Sequence, residues 1–368
     1  MNKRTIINFI KSVPRQLNDL INYNARCNCG HADLIKGYKN SKSISKEQKV
    51  SISTFWKPYL KTYKEKYAFD IRWFDMYNRT NLFGADLATY IPDGYYYGII
   101  DKCLTNGLDA NTIDDKNLYD LFFYDVNQPI TIARKVRGVY LDAEYNIISE
   151  EEVIEKCINN KSVIIKPSIN SLGGRGIIFW REGDDIKFLR KSLSESSSVV
   201  VQDLIKQHSF MASFTDSCVN TMRIVTLLWD NEVNVTSSVL IMGGPTAKTN
   251  HLHGGGIVCG ILPDGQLREV AFDGNLNEYR QHPNGIIFAE AKIPNYDKCI
   301  SLVKKLAPRM SGIAKFINWD ITLDQSGEPL LIEVNLTWGG SVQIAAGPAF
   351  GNKTKEVLDY VTKNGVWK

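Results

Sequence analysis

Near the carboxyl end, Asp320 in INWDITLD and Glu333 and Asn335 in LLIEVN are placed to hold a hard cation. The Ser326-Gly327 pair between these two apolar runs predicts a hairpin turn. Residues two apart on a strand point to one face, so Glu333 and Asn335 share a side, with Asp320 on the facing strand. Two carboxylates and an amide oxygen are the ligands Mg²⁺ favours, its shell being completed by waters and phosphate oxygens. The plainer alternative is the polar outer face of an ordinary hairpin.

A second stretch, KPSINSLGGRGIIFW from Lys166 to Trp180, sets a lysine at the end of an apolar run and follows it with Gly173, Gly174 and Gly176. Glycine lets backbone N–H groups approach phosphate oxygens closely, and a lysine supplies the matching charge. There is no GK[ST] and no helical pattern after the glycines, so neither a Walker loop nor a dinucleotide fingerprint fits. A loop between two strands fits better, and an unremarkable β-hairpin is the competing reading.

The elements that must position these residues differ along the chain. Residues 1–112 read as helical: Phe55, Tyr59 and Tyr63, with Trp56 and Leu60, recur at helical steps after SISK, and Asp93-Gly94 and Asn106-Gly107 read as turns. Beyond residue 112 come short apolar runs at 163, 177, 199, 222, 233, 256, 317 and 330, separated by turn signals such as Pro263-Asp264-Gly265. Helices are expected at 115–124, at 149–160 behind Ser149, and at 295–311. Strands interrupted by a few helices make an α+β body.

Composition narrows the function classes. The 368 residues are 43% apolar and 23% charged with a net charge of +4, which describes an ordered globular chain and gives no reason to expect nucleic acid as a partner. Lys57, Lys61, Lys64 and Lys66 lie among Trp56, Tyr59, Tyr63 and Tyr67, a pattern that also belongs to a helix with one packed aromatic face and one solvated basic face. Seven irregularly spaced cysteines form no disulfide framework, and CNCGH lacks the second pair that a zinc site needs. The basic N-terminus has no secretory apolar core, and no run approaches the roughly 18 apolar residues of a membrane span, so a cytoplasmic protein is expected.

In order and spacing, these motifs resemble the ATP-grasp superfamily of carboxylate–amine ligases. Residues from about 50 to 350 resemble its sugar-transfer associated branch, which includes glutamate-ligase-like proteins. The resemblance rests on Asp115-Lys116-Asn117 followed by Pro129, on Lys166 before SLGGRG, on VVVQDLI at 199–205, and on Asp320 with Glu333 and Asn335. SCVNTMRIVTLL, holding Asn220, Thr221 and Arg223, and TNHLHGGGIVCGI, holding Asn250 and His253, resemble the narrower branch. Three departures stand out: helices in place of a first α/β domain, Asn318 where other members carry arginine, and Gln202 where the hinge usually has glutamate.

The resemblance implies an ATP-grasp fold in which two subdomains clasp ATP, residues 113–204 bearing the lysines and glycine loop and 205–350 the metal ligands. Residues 1–112 would be a helical accessory region and 351–368 a tail helix. It implies ATP and two Mg²⁺ ions, with Lys116 and Lys166 on the phosphates, Gly173, Gly174 and Gly176 as a lid, and Gln202, Asp203 and Leu204 at the nucleotide hinge. Asp320, Glu333 and Asn335 would hold metal. Arg223 and Asn220 would lie beside an acyl phosphate, Gly339 and Gly340 could assist there, and His253 would take the proton of the amine. His208 would approach the ribose, whereas His282 reads as a loop residue. The implied substrates are a small carboxylate and an amine, such as an amino acid and an amino sugar. Two other readings use the same residues: a kinase that phosphorylates a hydroxyl, and a nucleotide-binding scaffold without catalysis.

Overall fold

The computed structural model describes residues 21–28, 38–169, 176–244, 247, 249–250, 252–336 and 340–365. The chain divides into two compact units. The first comprises Met1–Thr105, Asn275–Asn277 and Trp338–Lys368, and the second Asn106–Gly274 and Glu278–Thr337.

The first unit is helical and built on aromatic rings. The helix Lys46–Trp56 starts at Ser45, whose side chain and that of Gln48 form a reciprocal capping box. It ends where Pro58 enters a 3₁₀ turn, Lys57–Tyr59, and a new helix, Tyr63–Ala68, begins behind Thr62. Phe55, Tyr59 and Tyr63 therefore do not share the single helix their spacing suggests, because proline cannot continue the hydrogen-bond ladder. Trp56 is fully buried, edge-on to Tyr95 at 4.9 Å, with its indole N–H on the Ala88 carbonyl at 3.0 Å. Gln343 is equally buried and bonds Ile91 through both its amide groups, together with Tyr77 Oη and Ala349 N. The Asp93-Gly94 pair is not a turn: it opens the helix Asp93–Tyr95 behind Pro92.

The second unit holds two antiparallel sheets. In the first, β1 Thr131–Val136, β2 Val139–Asp142, β3 Ser162–Pro167, β4 Ile178–Arg181 and β5 Val199–Asp203 lie in the order β2-β1-β5-β3-β4. Val153, Ile154 and Cys157 of the helix Glu150–Asn160, with Leu189 and Leu193 of the helix Ile186–Ser194, pack on Val163, Ile165 and Val201.

The second sheet comprises β6 Thr221–Trp229, β7 Glu232–Met242, β8 Ile257–Ile261, β9 Leu267–Asp273, β10 Glu278–Tyr279, β11 Phe316–Leu323 and β12 Pro329–Asn335. Their order is β10-β9-β8-β7-β6-β11-β12, which leaves β12 outermost. Met222, Ile224, Ile317, Trp319 and Ile321 face one core with Cys299, Val303 and Leu306 of the helix Tyr296–Leu306. Alternation along a strand then turns Arg223 and Asp320 to the other face.

The α+β body matches the expectation from sequence, but β1, β2, β9 and β10 were not anticipated, and Asn106-Gly107 leads into the helix Gly107–Ile113 instead of a turn. The expected helix at 115–124 is a 3₁₀ turn, Lys116–Leu118, followed by a single helical turn, Tyr119–Phe122. Among the described residues the cysteines are free thiols, and no helix is long and apolar enough to cross a membrane. Cys29 and His31 lie outside the described residues.

Candidate functional site

The register of three neighbouring strands assembles the site. Asp320 on β11 pairs with Arg223 on β6 and with Glu333 on β12, while Asn318 pairs with Asn335. The hairpin read from sequence therefore brings Asp320, Glu333 and Asn335 together. Arg223 Nε donates to Asp320 Oδ1 at 2.8 Å and Nη2 to Oδ2 at 2.7 Å, a two-point ion pair, and Asn335 Nδ2 donates to Oδ2 at 3.0 Å. Burial pushes the Asp320 carboxyl up, against the guanidinium that favours its charge. The guanidinium that meets Asp320 comes from β6, not from position 318, which is an asparagine on the same strand as the aspartate.

Two lysines face these acids. Lys116 follows Asp115, whose carboxylate accepts the Asn117 N–H at 3.0 Å, and its own N–H donates to the Ser168 carbonyl at 2.9 Å just beyond β3. Its ammonium pairs with Glu333 Oε1 at 2.8 Å. Lys166, on β3, donates to Gln202 Oε1 on β5 at 3.1 Å. Burial lowers its pKa to about 8, Glu333 works in the opposite direction, and Lys116 adds to the lowering. The two cations and Glu333 are thus electrostatically coupled. A neutral amide at position 202 bonds the ammonium without contributing a compensating negative charge.

Two residues that sequence reasoning passed over hold the backbone beside Lys116 and beside Glu333. Arg134 on β1 is 1% exposed; Nε reaches the Asn117 carbonyl at 3.2 Å, Nη1 reaches those of Asp142 and Ala143 at 3.0 and 2.8 Å, and Nη2 pairs with Asp120. The Tyr145 ring lies 4.1 Å from this guanidinium, and its hydroxyl also donates to the Asn117 carbonyl. Tyr119 is the second: its hydroxyl donates to the Val334 carbonyl at 3.3 Å and accepts the Val334 N–H at 3.2 Å, between Glu333 and Asn335. The only sequence signal for Arg134 was a charged pair inside a short β-like run, and Tyr119 gave none.

The other expected residues are placed as follows. Asn220 is fully buried and spends its amide on the Met211 and Thr215 carbonyls, both at 2.8 Å, and on the Gly243 N–H at 3.1 Å, so it braces loops and does not aim at the acids. Asp203 Oδ1 accepts the Leu204 N–H at 2.7 Å and Asn160 Nδ2 at 3.1 Å. Gly176 has a φ of +74°, and a Cβ there would come 2.9 Å from Pro167 Cγ, so both backbone and space demand glycine. His282 is buried, bonding the Gly243 carbonyl at 3.0 Å and the Asn284 N–H at 3.2 Å, and burial lowers its pKa. His208 caps the helix Ser209–Phe214. Gly173, Gly174 and Gly339 lie outside the described residues, and of His253 only the backbone, in the 3₁₀ turn Leu252–Gly254, is described.

The donor set fits Mg²⁺. Among the described residues no group of three or more His, Cys, Asp or Glu side chains gathers to hold a metal. Two carboxylates and an amide oxygen suit a cation that draws the rest of its shell from water and phosphate.

A family model described as sugar-transfer associated ATP-grasp matches residues 104–359. Comparison with curated proteins gives no match. Among solved structures, D-alanyl-alanine synthetase A from Vibrio cholerae O1 biovar eltor is 13% identical, with 71% of this chain and 67% of that one covered and a TM-score of 0.42. L-amino acid ligase from Bacillus licheniformis is 14% identical over 70% of this chain and 49% of that one, with a TM-score of 0.39. The biotin carboxylase domain of Hydrogenobacter thermophilus 2-oxoglutarate carboxylase, solved with MgADP, is 13% identical over 70% of this chain and 47% of that one, with a TM-score of 0.45. This chain thus spans about half the length of the last two. The family match covers well over half of this chain, which belongs to the sugar-transfer associated ATP-grasp family and has its α+β fold.

Proposed function

We propose that this chain is an ATP-dependent ligase that joins a small carboxylate to an amine through an acyl phosphate, with an amino acid and an amino sugar of a surface-polysaccharide precursor as the substrate classes. The observation that carries the reading is the single cluster in which Lys116 and Lys166 meet Glu333, and Arg223 and Asn335 meet Asp320. Such a cluster suits a polyphosphate with its cations on one side and an anionic reaction centre on the other.

A carboxylate is unreactive toward amines because it is resonance-stabilised and would have to expel oxide. Transfer of the γ-phosphoryl group to it, releasing ADP, supplies a leaving group, and the amine then displaces orthophosphate. Lys116 and Lys166 bind the phosphates as point charges. Asp320, Glu333 and Asn335 would hold two Mg²⁺ ions, which when bound neutralise charge on the transferring phosphate. Arg223 donates to the acyl phosphate and to the oxyanion formed on amine attack, where one donor contributes about 3 kcal/mol. Gly173, Gly174 and Gly176 close over the triphosphate and exclude water from an easily hydrolysed intermediate. Gln202, Asp203 and Leu204 line the nucleotide hinge. His253 takes the amine proton, and Asn220 holds the loops behind Arg223. The clasping parts are residues 113–204 and 205–350, with 1–112 as an accessory region and 351–368 as a tail, working in the cytoplasm.

Product stoichiometry tests the reading. ADP and orthophosphate should appear together only when an acid and an amine are both supplied, hydroxylamine should trap a hydroxamate, and Glu333→Gln should abolish both. ADP without orthophosphate, from a hydroxyl acceptor, would refute the ligase.

A further inference from the structure

Asp320 is 7% exposed, yet both its oxygens are already engaged. Arg223 Nε and Nη2 take one position on each oxygen, at 2.8 and 2.7 Å, and Asn335 Nδ2 takes a second on Oδ2 at 3.0 Å. An ionised carboxylate offers about four lone-pair positions, so these three bonds leave one, on Oδ1. A divalent cation coordinates oxygen directly and would stand beside a guanidinium of like sign, so the two compete for one carboxylate. The partner able to leave is Arg223, whose side chain is 20% exposed against 9% for that of Asp320, and which reaches the aspartate from β6 while Glu333 and Asn335 reach it from β12. A buried carboxylate stripped of its partner without replacement is costly, so the guanidinium stays until a cation substitutes for it.

We propose that Arg223 is an exchangeable internal counter-ion: it neutralises Asp320 until a divalent cation binds, and the arriving cation expels it toward the reaction centre. Metal loading and delivery of the guanidinium to the anionic intermediate are then one event. The inference rests on the assignment of Asp320 as a metal ligand made above.

The test is Mn²⁺ binding to the full, nucleotide-free chain, measured by the paramagnetic resonance of free Mn²⁺ and by calorimetry. Arg223→Gln should bind Mn²⁺ at least tenfold more tightly than the wild type, and Mn²⁺ should raise its melting temperature by more. Arg223→Lys keeps the charge but loses the two-point contact, and should fall between them; it carries the comparison if Arg223→Gln does not fold. Asp320→Asn should lose binding. Mn²⁺ affinity in the Arg223 variants no higher than in the wild type, with binding lost in Asp320→Asn, overturns the exchange and leaves the metal assignment standing. Wild-type Mn²⁺ affinity in Asp320→Asn overturns both.

Discussion

Replacement of Tyr119 by phenylalanine isolates a contact that joins the lysine-bearing turn to the metal-ligand strand. β12 is the outermost strand, so the N–H and C=O of Val334, which point away from β11, have no further strand to bond. The Tyr119 hydroxyl serves both, at 3.2 and 3.3 Å, with Tyr119 6% and Val334 2% exposed. Each such bond contributes about 0.5–1.5 kcal/mol net, and a buried group left unpaired costs about 1–3 kcal/mol, so removing the hydroxyl should cost about 2–3 kcal/mol. For a unit of this size that corresponds to a fall in melting temperature of about 4–12 °C. Calorimetry reads the melting, and ATP titration reads the site; affinity should fall as well, because Val334 lies between Glu333 and Asn335. Tyr124→Phe is the control, the residue being 79% exposed, and should stay within about 0.5 kcal/mol of the wild type. A Tyr119→Phe chain that melts within a degree of the wild type would refute the reasoning.

Two further outcomes are expected. Burial holds Lys166 at about 8, below its unfolded value near 10.4, so the folded chain releases this proton first and the group's contribution to stability rises with pH between those values. ATP affinity, measured calorimetrically, should hold up to about pH 8 and then decline by as much as tenfold per unit, with Lys166→Arg extending the plateau; a flat wild-type profile to pH 9.5 contradicts the assignment. Gly176→Ala should cost about 1–2 kcal/mol from its positive φ, plus the clash with Pro167 beside Lys166, and should weaken ATP binding, whereas Gly183→Ala, at φ +99° with nothing near its added methyl, should show only the backbone part. Equal effects of the two on ATP affinity would remove Gly176 from the site.

The strands legible in the sequence were those whose apolar runs are buried on a sheet: VIIKP and MRIVTLL lie within β3 and β6, while VVVQDLI overruns β5 by two residues and INWDITLD overruns β11 by one. β1 escaped notice because Arg134 and Lys135 sit within it, and both are buried, Lys135 bonding the Leu193 carbonyl at 2.8 Å. Charges there read as solvent-facing unless their partners are known. Strand β9 was obscured in the same way by Arg268 and Glu269, and β10 is too short to carry a pattern. The juxtaposition of Asp320 with Glu333 was legible because a tight turn fixes hairpin register. The Arg223–Asp320 pair was not, since its partners are 97 residues apart and only the order of β6 and β11 in the sheet brings them together.

The outer flank of β12 has a consequence beyond catalysis. Tyr119 covers Val334 there, and the Asn127 carbonyl accepts the Leu331 N–H at 2.9 Å. An uncovered border of this kind recruits strands from other molecules, and proteins blunt it with a loop or a charge. Tyr119 and Asn127 therefore occupy backbone groups at Val334 and Leu331 to which an intruding strand would otherwise bond. Loosening those contacts should leave β12 open to pairing with a strand of another molecule.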